Sequence, residues 1–554
     1  MNSQFFKIIN KLESLEVWLN QFNFEKFSLP FLVIAVLIFT GFVVNLPYFS
    51  LVTSEEKLYA GMAIKNFIGH GASLTNWLPN YTTRVDGSPF VYTHLNDLPS
   101  QLSYLLSKIS FRVEWMRFVY LSVTILSFLI LFKIMYTKYG YLLAFASLGF
   151  LYSKWTLVFA DHLHVPFSFL VSIIALAIAL NRKENGNRYL VLSLLNILFA
   201  ASFSWFAAVN LTVFTIGIAL IDYRGCRRYI TIVLLVGYFL TLCLAKIYLN
   251  SLYLGSDVAS QEIIQTISNR ITGVPNINEM FNLFNSKGIV LWGYQIQNKF
   301  YFYEYIGHLL ERYSLKLAKP FFLILLLYLI NSKSFKHYFF TYKSDILTIV
   351  VFLISLSSWN FLFPAHANGY SNPLLGGFYL FIVLALIFLI FHQVLVTSAI
   401  KFNWLIYFFC LSWMMITNLN LVHKNNSTSF EKLPVEMQKL LDGKSVFTNI
   451  SVIFLGYSLP NSFIFGRCEP SAISNSDPTK CYNFFENIST DTRSKSALEH
   501  PQYFVFSENL LSGNTAWTSP YELKRYKEIL QMKLGPPLKI FMADGVKFEV
   551  YEIL

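Results

Sequence analysis

What most limits how this chain can fold is the repetition of apolar runs long enough to cross a bilayer. Eleven such runs lie near 29–51, 115–136, 140–159, 163–181, 189–204, 205–221, 229–250, 318–332, 345–363, 371–397 and 402–421. A spanning helix needs roughly 20 mostly apolar residues, because it rises about 1.5 Å per residue through a hydrocarbon core about 30 Å thick. With 55% of residues hydrophobic and only 13% charged, water could not solvate the chain as a soluble globule. The expected class is a polytopic α-helical membrane protein of about 11 transmembrane helices. The first 28 residues mix Lys7, Lys11 and Lys26 with Glu13, Glu16 and Glu25. That is not the basic start of a cleavable signal peptide, so the first span is expected to be retained.

Direction follows from the basic residues, which collect in short cytoplasmic loops. If the N-terminus is cytoplasmic and the spans alternate, those loops hold Lys133 and Lys138; Arg182, Lys183 and Arg188; Arg224, Arg227 and Arg228; Lys333, Lys336 and Lys343; and Lys401. The short outer connections near 159–163, 204–205 and 362–371 hold no Lys or Arg. Two long outer loops, 52–114 and 251–317, and a polar tail, 422–554, then face the periplasm, lumen or exterior. The net charge of +12 reads as this orientation signal. There is no basic stripe with a nucleic-acid-binding signature, and no nucleic-acid partner is expected.

The chain thus divides into a membrane domain, 1–421, and a soluble domain, 422–554. In the tail, KSVFTNI (444–450) and YFVFSENL (503–510) read as strands, and KIFMADGVKFEVYEI (539–553) as a hairpin turning at Asp544-Gly545. A short helix fits between Thr518 and Met532. This is a small α/β domain without a catalytic motif. Its Cys468 and Cys481, placed in an oxidising compartment, are candidates for a disulfide, with two free thiols as the alternative.

Chemistry-bearing residues crowd the outer connections. The first loop opens with TSEEKLYAGMAIKNF (53–67) and continues through Arg84, Asp86, His94 and Asp97. Thr53 and Glu56 have the spacing of a capping box, in which each side chain satisfies the other's backbone N–H; Glu55 is left without that duty. The connection FADHLHVPF (159–167) sets Asp161, His162 and His164 between two apolar helices. A carboxylate there is costly unless paired or hydrated, and capping of the next helix is the plain alternative for Asp161. Arg270 stands in the second long loop, and His366 and Tyr370 in FPAHANGYSNP (363–373). His162 and His164 are too close in sequence to share a helix face, and no zinc-ligand spacing occurs. No metal site is assigned and no cofactor is required, although Glu55, Asp161 and nearby histidines could attract a divalent ion. The phosphate-cradling glycine motifs of nucleotide enzymes are absent, so an outer active site must draw its activated substrate from the membrane.

This order of features resembles the GT-C glycosyltransferases, and within them the protein mannosyltransferase and aminoarabinose transferase group. There an Asp-Glu pair opens the first outer loop, with an aromatic three residues after the Glu; here the pair is Glu55-Glu56, followed by Tyr59. SPFVYTHLNDLPSQLSYLL (88–106) resembles a Pro/Tyr-rich segment ending in Lys or His and two prolines, with His94 near the Lys/His position. Asp161 matches an Asp expected after the third span, and FLFPAHANGYSNPLL (361–375) a late His/Tyr-rich loop. Two departures stand out: the family Asp is Glu55 here, one methylene longer, and the Lys-Pro-Pro core is missing around His94.

The resemblance implies transfer of a sugar from a polyprenyl-phosphate donor to a lipid, glycan or protein acceptor on the outer face, with inversion at the anomeric carbon. Glu55 would be the general base, because a neutral acceptor hydroxyl is a poor nucleophile. Asp161 would orient the acceptor or share that role. Arg84, His94 and Arg270 would meet the donor phosphate, with Tyr59, His366 and Tyr370 also lining the site. Stretches 55–69 and 97–109 would lie along the membrane surface as amphipathic helices. Two other classes fit the composition. A transporter or flippase would show repeated halves with broken helices, and no repeat is evident; a scaffold that only anchors the tail would leave the acidic residues idle.

Overall fold

The computed structural model describes residues 24–45, 67, 73, 80–83, 89–91, 98–107, 114–139, 144, 147–160, 164–182, 187–272, 294–296, 299–301, 342–363, 376–378, 412, 415–416, 418–420, 433–448, 459, 463–466, 502–507, 527–528, 530–532, 534–543 and 546–553. The chain divides into two compact units, Met1–Val43 with Tyr120–Val422, and Val44–Val119 with His423–Leu554.

The first unit is helical. Its elements include α1 (Phe24–Asn45), α3 (Glu114–Tyr139), α4 (Leu148–Leu151), α5 (Lys154–Phe159), α6 (Val165–Leu180), α7 (Asn187–Ala201), α8 (Trp205–Asp222), α9 (Gly225–Leu254), α10 (Ser256–Thr272) and α11 (Lys343–Leu362). Helix α2 (Leu98–Ser107) precedes α3 within the 52–114 stretch. Among the described residues, four helices are long and apolar enough to cross a membrane: α3 from Arg117, α8, α9 and α11. Helices α6 and α7 are apolar but shorter. These helices make the protein a polytopic helical membrane protein.

Local chemistry ends each helix. Pro166 sits in the first turn of α6, where no N–H partner is needed. Ser204 starts α8 by accepting from the Ala207 N–H at 3.2 Å, so α7 and α8 follow each other with only three residues between them, as the 189–204 and 205–221 runs predict. Gly255, at φ +84°, closes α9, a conformation that costs a side-chain-bearing residue. At 30 residues, α9 is about 45 Å long and exceeds the hydrocarbon core. Only 11% of its apolar window is buried, against 56% in α8, so α9 turns most of its surface to lipid.

Two expectations change. The 140–159 run is not one continuous helix in its described part: α4 and α5 are separated at Tyr152-Ser153. Ser153 caps α5 by accepting from the Thr156 N–H at 3.1 Å, while the buried Tyr152 hydroxyl donates to the Ala35 carbonyl. The Ser153 hydroxyl thereby satisfies a first-turn N–H that a continuous helix would have satisfied itself, and the Tyr152 hydroxyl ties the break to α1. The second long loop opens with a helix, α10, whose polar sequence carries Arg270 in its last turn; a two-stranded hairpin, β3 (Tyr294–Ile296) with β4 (Lys299–Tyr301), follows. The runs near 318–332 and 402–421, and most of 371–397, lie outside the described residues apart from a few positions.

The core of this unit is aromatic. Phe378 is fully buried and meets Phe150 at 5.0 Å, Phe169 at 5.8 Å and Phe352 at 5.3 Å between ring centroids. Helices α8 and α11 approach closely at Gly217, where a Cβ would fall 2.4 Å from Val351 Cγ1.

The second unit contains β1 (Asn80–Thr83) paired antiparallel with β2 (Pro89–Val91), and α2, whose Tyr104 ring meets buried Phe67 at 5.5 Å. In the tail, α12 (Val435–Leu441) accompanies a five-stranded sheet. Its strands are β5 (Ser445–Thr448), β6 (Phe463–Gly466), β7 (Tyr503–Phe506), β8 (Lys539–Ala543) and β9 (Val546–Glu552), in the order β6-β5-β7-β9-β8. The pairs of β5 with β6 and β7 are parallel, and those of β9 with β7 and β8 antiparallel. Ala543 faces Val546 across a two-residue loop, the hairpin that Asp544-Gly545 predicts. The apolar face of β9, Val546, Phe548 and Val550, is buried in the sheet's core. Its other face carries Glu549, 4% exposed, which accepts from Lys547 at 2.5 Å and Tyr551 at 2.6 Å. Burial pushes the Glu549 carboxyl up, but those two hydrogen bonds and the charges of Lys527 and Lys547 outweigh it and hold the group below its ordinary range.

Candidate functional site

The two ends of the helical unit differ in chemistry. At one end Arg182, just past α6, bridges two other helices. Its Nε and Nη2 donate to Asp222 of α8 at 2.5 and 3.1 Å, and its Nη1 to Thr348 of α11 at 2.8 Å. Beside it Lys138, near the end of α3, pairs with Asp345 of α11 at 3.4 Å and donates to the Leu180 carbonyl, while the Tyr139 hydroxyl donates to Asp345 at 2.6 Å. The ends of α3, α6 and α8 and the start of α11 therefore lie together, as strict alternation of the spans requires. These charged groups occupy the basic loops expected on the cytoplasmic side.

The opposite end is aromatic. The Arg270 guanidinium of α10 lies over the Trp359 ring of α11, 5.8 Å from its centroid, within the range of a cation–π attraction. Trp359 is 4% exposed and meets Phe206 of α8 at 5.0 Å and Phe363 at 4.3 Å. Beneath it the Ser358 hydroxyl donates to Asn210 Oδ1 of α8 at 2.9 Å. Asn210 is 1% exposed, and its Nδ2 is buried without a hydrogen-bond partner. Polar groups placed this way inside a membrane bundle are expensive and point to function or to specified packing. Trp359, Ser358 and Asn210 belong to no motif in the sequence; the available signal is an Asn standing alone in the apolar run 205–221.

The flanks of the Asp161 connection reach this same end. Ala160, fully buried, follows α5 and accepts from the Thr124 hydroxyl at 2.7 Å. His164 is the N-cap residue of α6 and makes no side-chain capping bond. The N-cap position is thus held by His164, three residues beyond Asp161. The late His/Tyr segment is flanked by Phe363, on Trp359, and by Gly377, whose Cα region lies against Phe169 and Thr156.

Of the residues the sequence selects, Arg270 is described, in the place given above. Thr53, Glu55, Glu56, Tyr59, Arg84, His94, Asp161, His366 and Tyr370 lie outside the described residues, as do Cys468 and Cys481. Among the described residues no group of three or more His, Cys, Asp or Glu side chains could hold a metal ion.

No family model matches the chain, and no curated protein matches it. Among solved structures, the chain is similar in layout to ArnT from Cupriavidus metallidurans. To the apo crystal structure it is 11% identical with a TM-score of 0.41, and to the crystal structure bound to undecaprenyl phosphate 12% identical with a TM-score of 0.48. Each similarity covers 95% of this chain and 98% of the other.

Proposed function

We propose that this protein is an integral-membrane glycosyltransferase that moves a sugar from a polyprenyl-phosphate donor to an acceptor on its outer face, inverting the anomeric carbon. The reading is supported above all by Arg270. A guanidinium restrained on a buried Trp stands at the helix end to which the Asp161 connection also runs, and at which the motif resemblance expects a phosphate partner. Arginine suits a phosphate because its charge is permanent and its donors match phosphate oxygens in pairs.

In this mechanism Glu55 takes the acceptor's proton as the new glycosidic bond forms. Asp161 orients the acceptor. Arg270, with Arg84 and His94, neutralises the charge that collects on the departing polyprenyl phosphate, the term that usually dominates such catalysis. Tyr59, His366 and Tyr370 contact the donor phosphate or the acceptor. The prenyl tail stays in lipid. The N-terminus lies in the cytoplasm and residues 422–554 lie outside.

The test is transfer by the purified full chain in detergent, using a panel of radiolabelled polyprenyl-phosphate sugars and scoring the anomer of the product. Wild-type protein should transfer with inversion. Glu55→Gln should lower turnover by roughly 10²–10⁴-fold, the usual worth of a general base, while Glu56→Gln stays within a few-fold because Gln completes the same capping box. Glu55→Gln turning over at the wild-type rate would remove Glu55 from the chemistry. Saturable transbilayer movement of the lipid without bond cleavage would replace the enzyme by a flippase.

A further inference from the structure

Helices α8 and α11 pair along their whole length, and the pairing has two polar pins. At the charged end the Arg182 guanidinium holds Asp222 of α8 and Thr348 of α11 at once, with bonds of 2.5 to 3.1 Å. Midway, Gly217 admits Val351 so closely that no other residue fits, and the Phe214 and Phe352 rings meet at 5.3 Å. At the aromatic end Ser358 donates to Asn210 at 2.9 Å. Every contact belongs to one antiparallel register.

Apart from the fit of Val351 at Gly217, the apolar contacts do not demand that register. A slide of one turn, about 5.4 Å, would set α11 against α8 through other apolar side chains, and packed helices do move in such discrete steps. A buried polar pair does demand it, because a slide leaves both partners unsatisfied; this is the best-attested use of a polar residue in a helix interface.

We propose that Asn210 and Ser358, with Arg182, form a register clamp that sets the height of Trp359 beneath Arg270, and so that Asn210 is a positioning residue for the phosphate end of the site. Trp359 is the residue next to Ser358, so the bond that fixes one fixes the other. The role in the site rests on the function proposed above; the clamp itself does not.

The experiment reads register directly. A Cβ at Gly217 would lie 3.7 Å from Val351 Cβ, within the span a disulfide needs. In the full chain with its native cysteines replaced by alanine, Gly217→Cys with Val351→Cys should cross-link under limiting oxidant. Gly217→Cys with Ser355→Cys, the pair brought together by a one-turn slide, made together with Val351→Ala so that a Cβ at position 217 has room, should cross-link poorly. Adding Asn210→Leu, or the smaller change Ser358→Ala, should raise the ratio of the shifted to the native cross-link about fivefold, the effect of losing one buried hydrogen bond. An unchanged ratio in both variants would overturn the clamp. In the double variant Asn210→Leu with Ser358→Ala, a thermal midpoint that holds steady while the ratio moves would support register over bulk stability, since removing both polar partners can be neutral. In the transfer assay the same variants should lower kcat and kcat/KM together, the mark of a contact made as charge develops on the departing phosphate. A moved ratio with kcat/KM intact would overturn the positioning role. Wild-type protein that transfers nothing would end the proposed function, while the cross-linking ratio still decides the clamp.

Discussion

Arg182 offers the sharpest energetic test of how the helical unit is held. Its side chain is 6% exposed and that of its partner Asp222 12%. The guanidinium makes two bonds to the carboxylate, one to Thr348 and one, at 2.6 Å, to the Ala179 carbonyl. At that burial, removing the cation leaves Asp222 without its compensating charge, a change worth about 3–5 kcal/mol rather than the ~0–1 of an exposed pair. Arg182→Met should therefore lower the thermal midpoint in detergent sharply. The partly exposed pair of Lys138 and Asp345, at 24% and 21%, gives a control. Lys138→Met should cost about 1 kcal/mol, because Asp345 keeps its bond from Tyr139. The decisive arm is the double variant Arg182→Met with Asp222→Leu. Replacing both charges by apolar groups is often neutral or stabilising, so it should recover most of the lost midpoint. Arg182→Met melting with wild type, or a double variant no better than the single, would refute the claim that an uncompensated charge is the cost.

Other outcomes follow from the same chemistry. Because the folded Glu549 pKa lies below its ordinary range, its contribution to the tail is full above about pH 5 and fades as pH falls toward the folded value. The gap in the tail's unfolding midpoint between wild type and Glu549→Gln should thus be constant at neutral pH and close below about pH 4; a gap that widens on acidification would reverse the sign. If Asp161 serves the reaction, Asp161→Asn should melt within about 1 kcal/mol of wild type, since Asn caps nearly as well as Asp, while turnover falls by an order of magnitude or more. Retained turnover would return Asp161 to the structure. If Cys468 and Cys481 are joined, non-reducing mapping should give one linked peptide, and closing that short loop should stabilise the tail by roughly 3 kcal/mol; alkylation of both thiols without reductant would exclude the bond.

How far the sequence could be read depends on which physical signal each part carries. Spans are legible because lipid demands an unbroken apolar run with satisfied backbone; α8, α9 and α11 fall within a few residues of the runs 205–221, 229–250 and 345–363. The hairpin of β8 and β9 is legible because Asp-Gly tolerates the turn its strands require. The break at Tyr152-Ser153 is not, because a serine inside an apolar run looks the same whether it caps a helix or continues one, and its cap is visible only once Thr156 is seen to donate to it. Helix α10 is hidden for the opposite reason: its polar residues resemble a solvated loop, with Ile264 and Ile267 exposed and Ala259 buried.

The candidate site divides along the same line. Motif resemblance finds charged residues in connections, where side-chain chemistry is exposed in the sequence. It does not find Asn210, Ser358 or Trp359, which lie on helices with no spacing that marks them. Yet these helical residues are the ones whose placement is over-determined: Trp359 is held by Phe206 and Phe363, its neighbour Ser358 by Asn210, and the helix beneath them by Arg182. Under the proposed function such a site needs that rigidity, because a misplacement of about 1 Å can cost on the order of 100-fold in rate. Arg270 is where the two kinds of residue meet. Its charge is legible in the sequence, but its use depends on the height of a tryptophan that a buried hydrogen bond, one residue away, keeps in register.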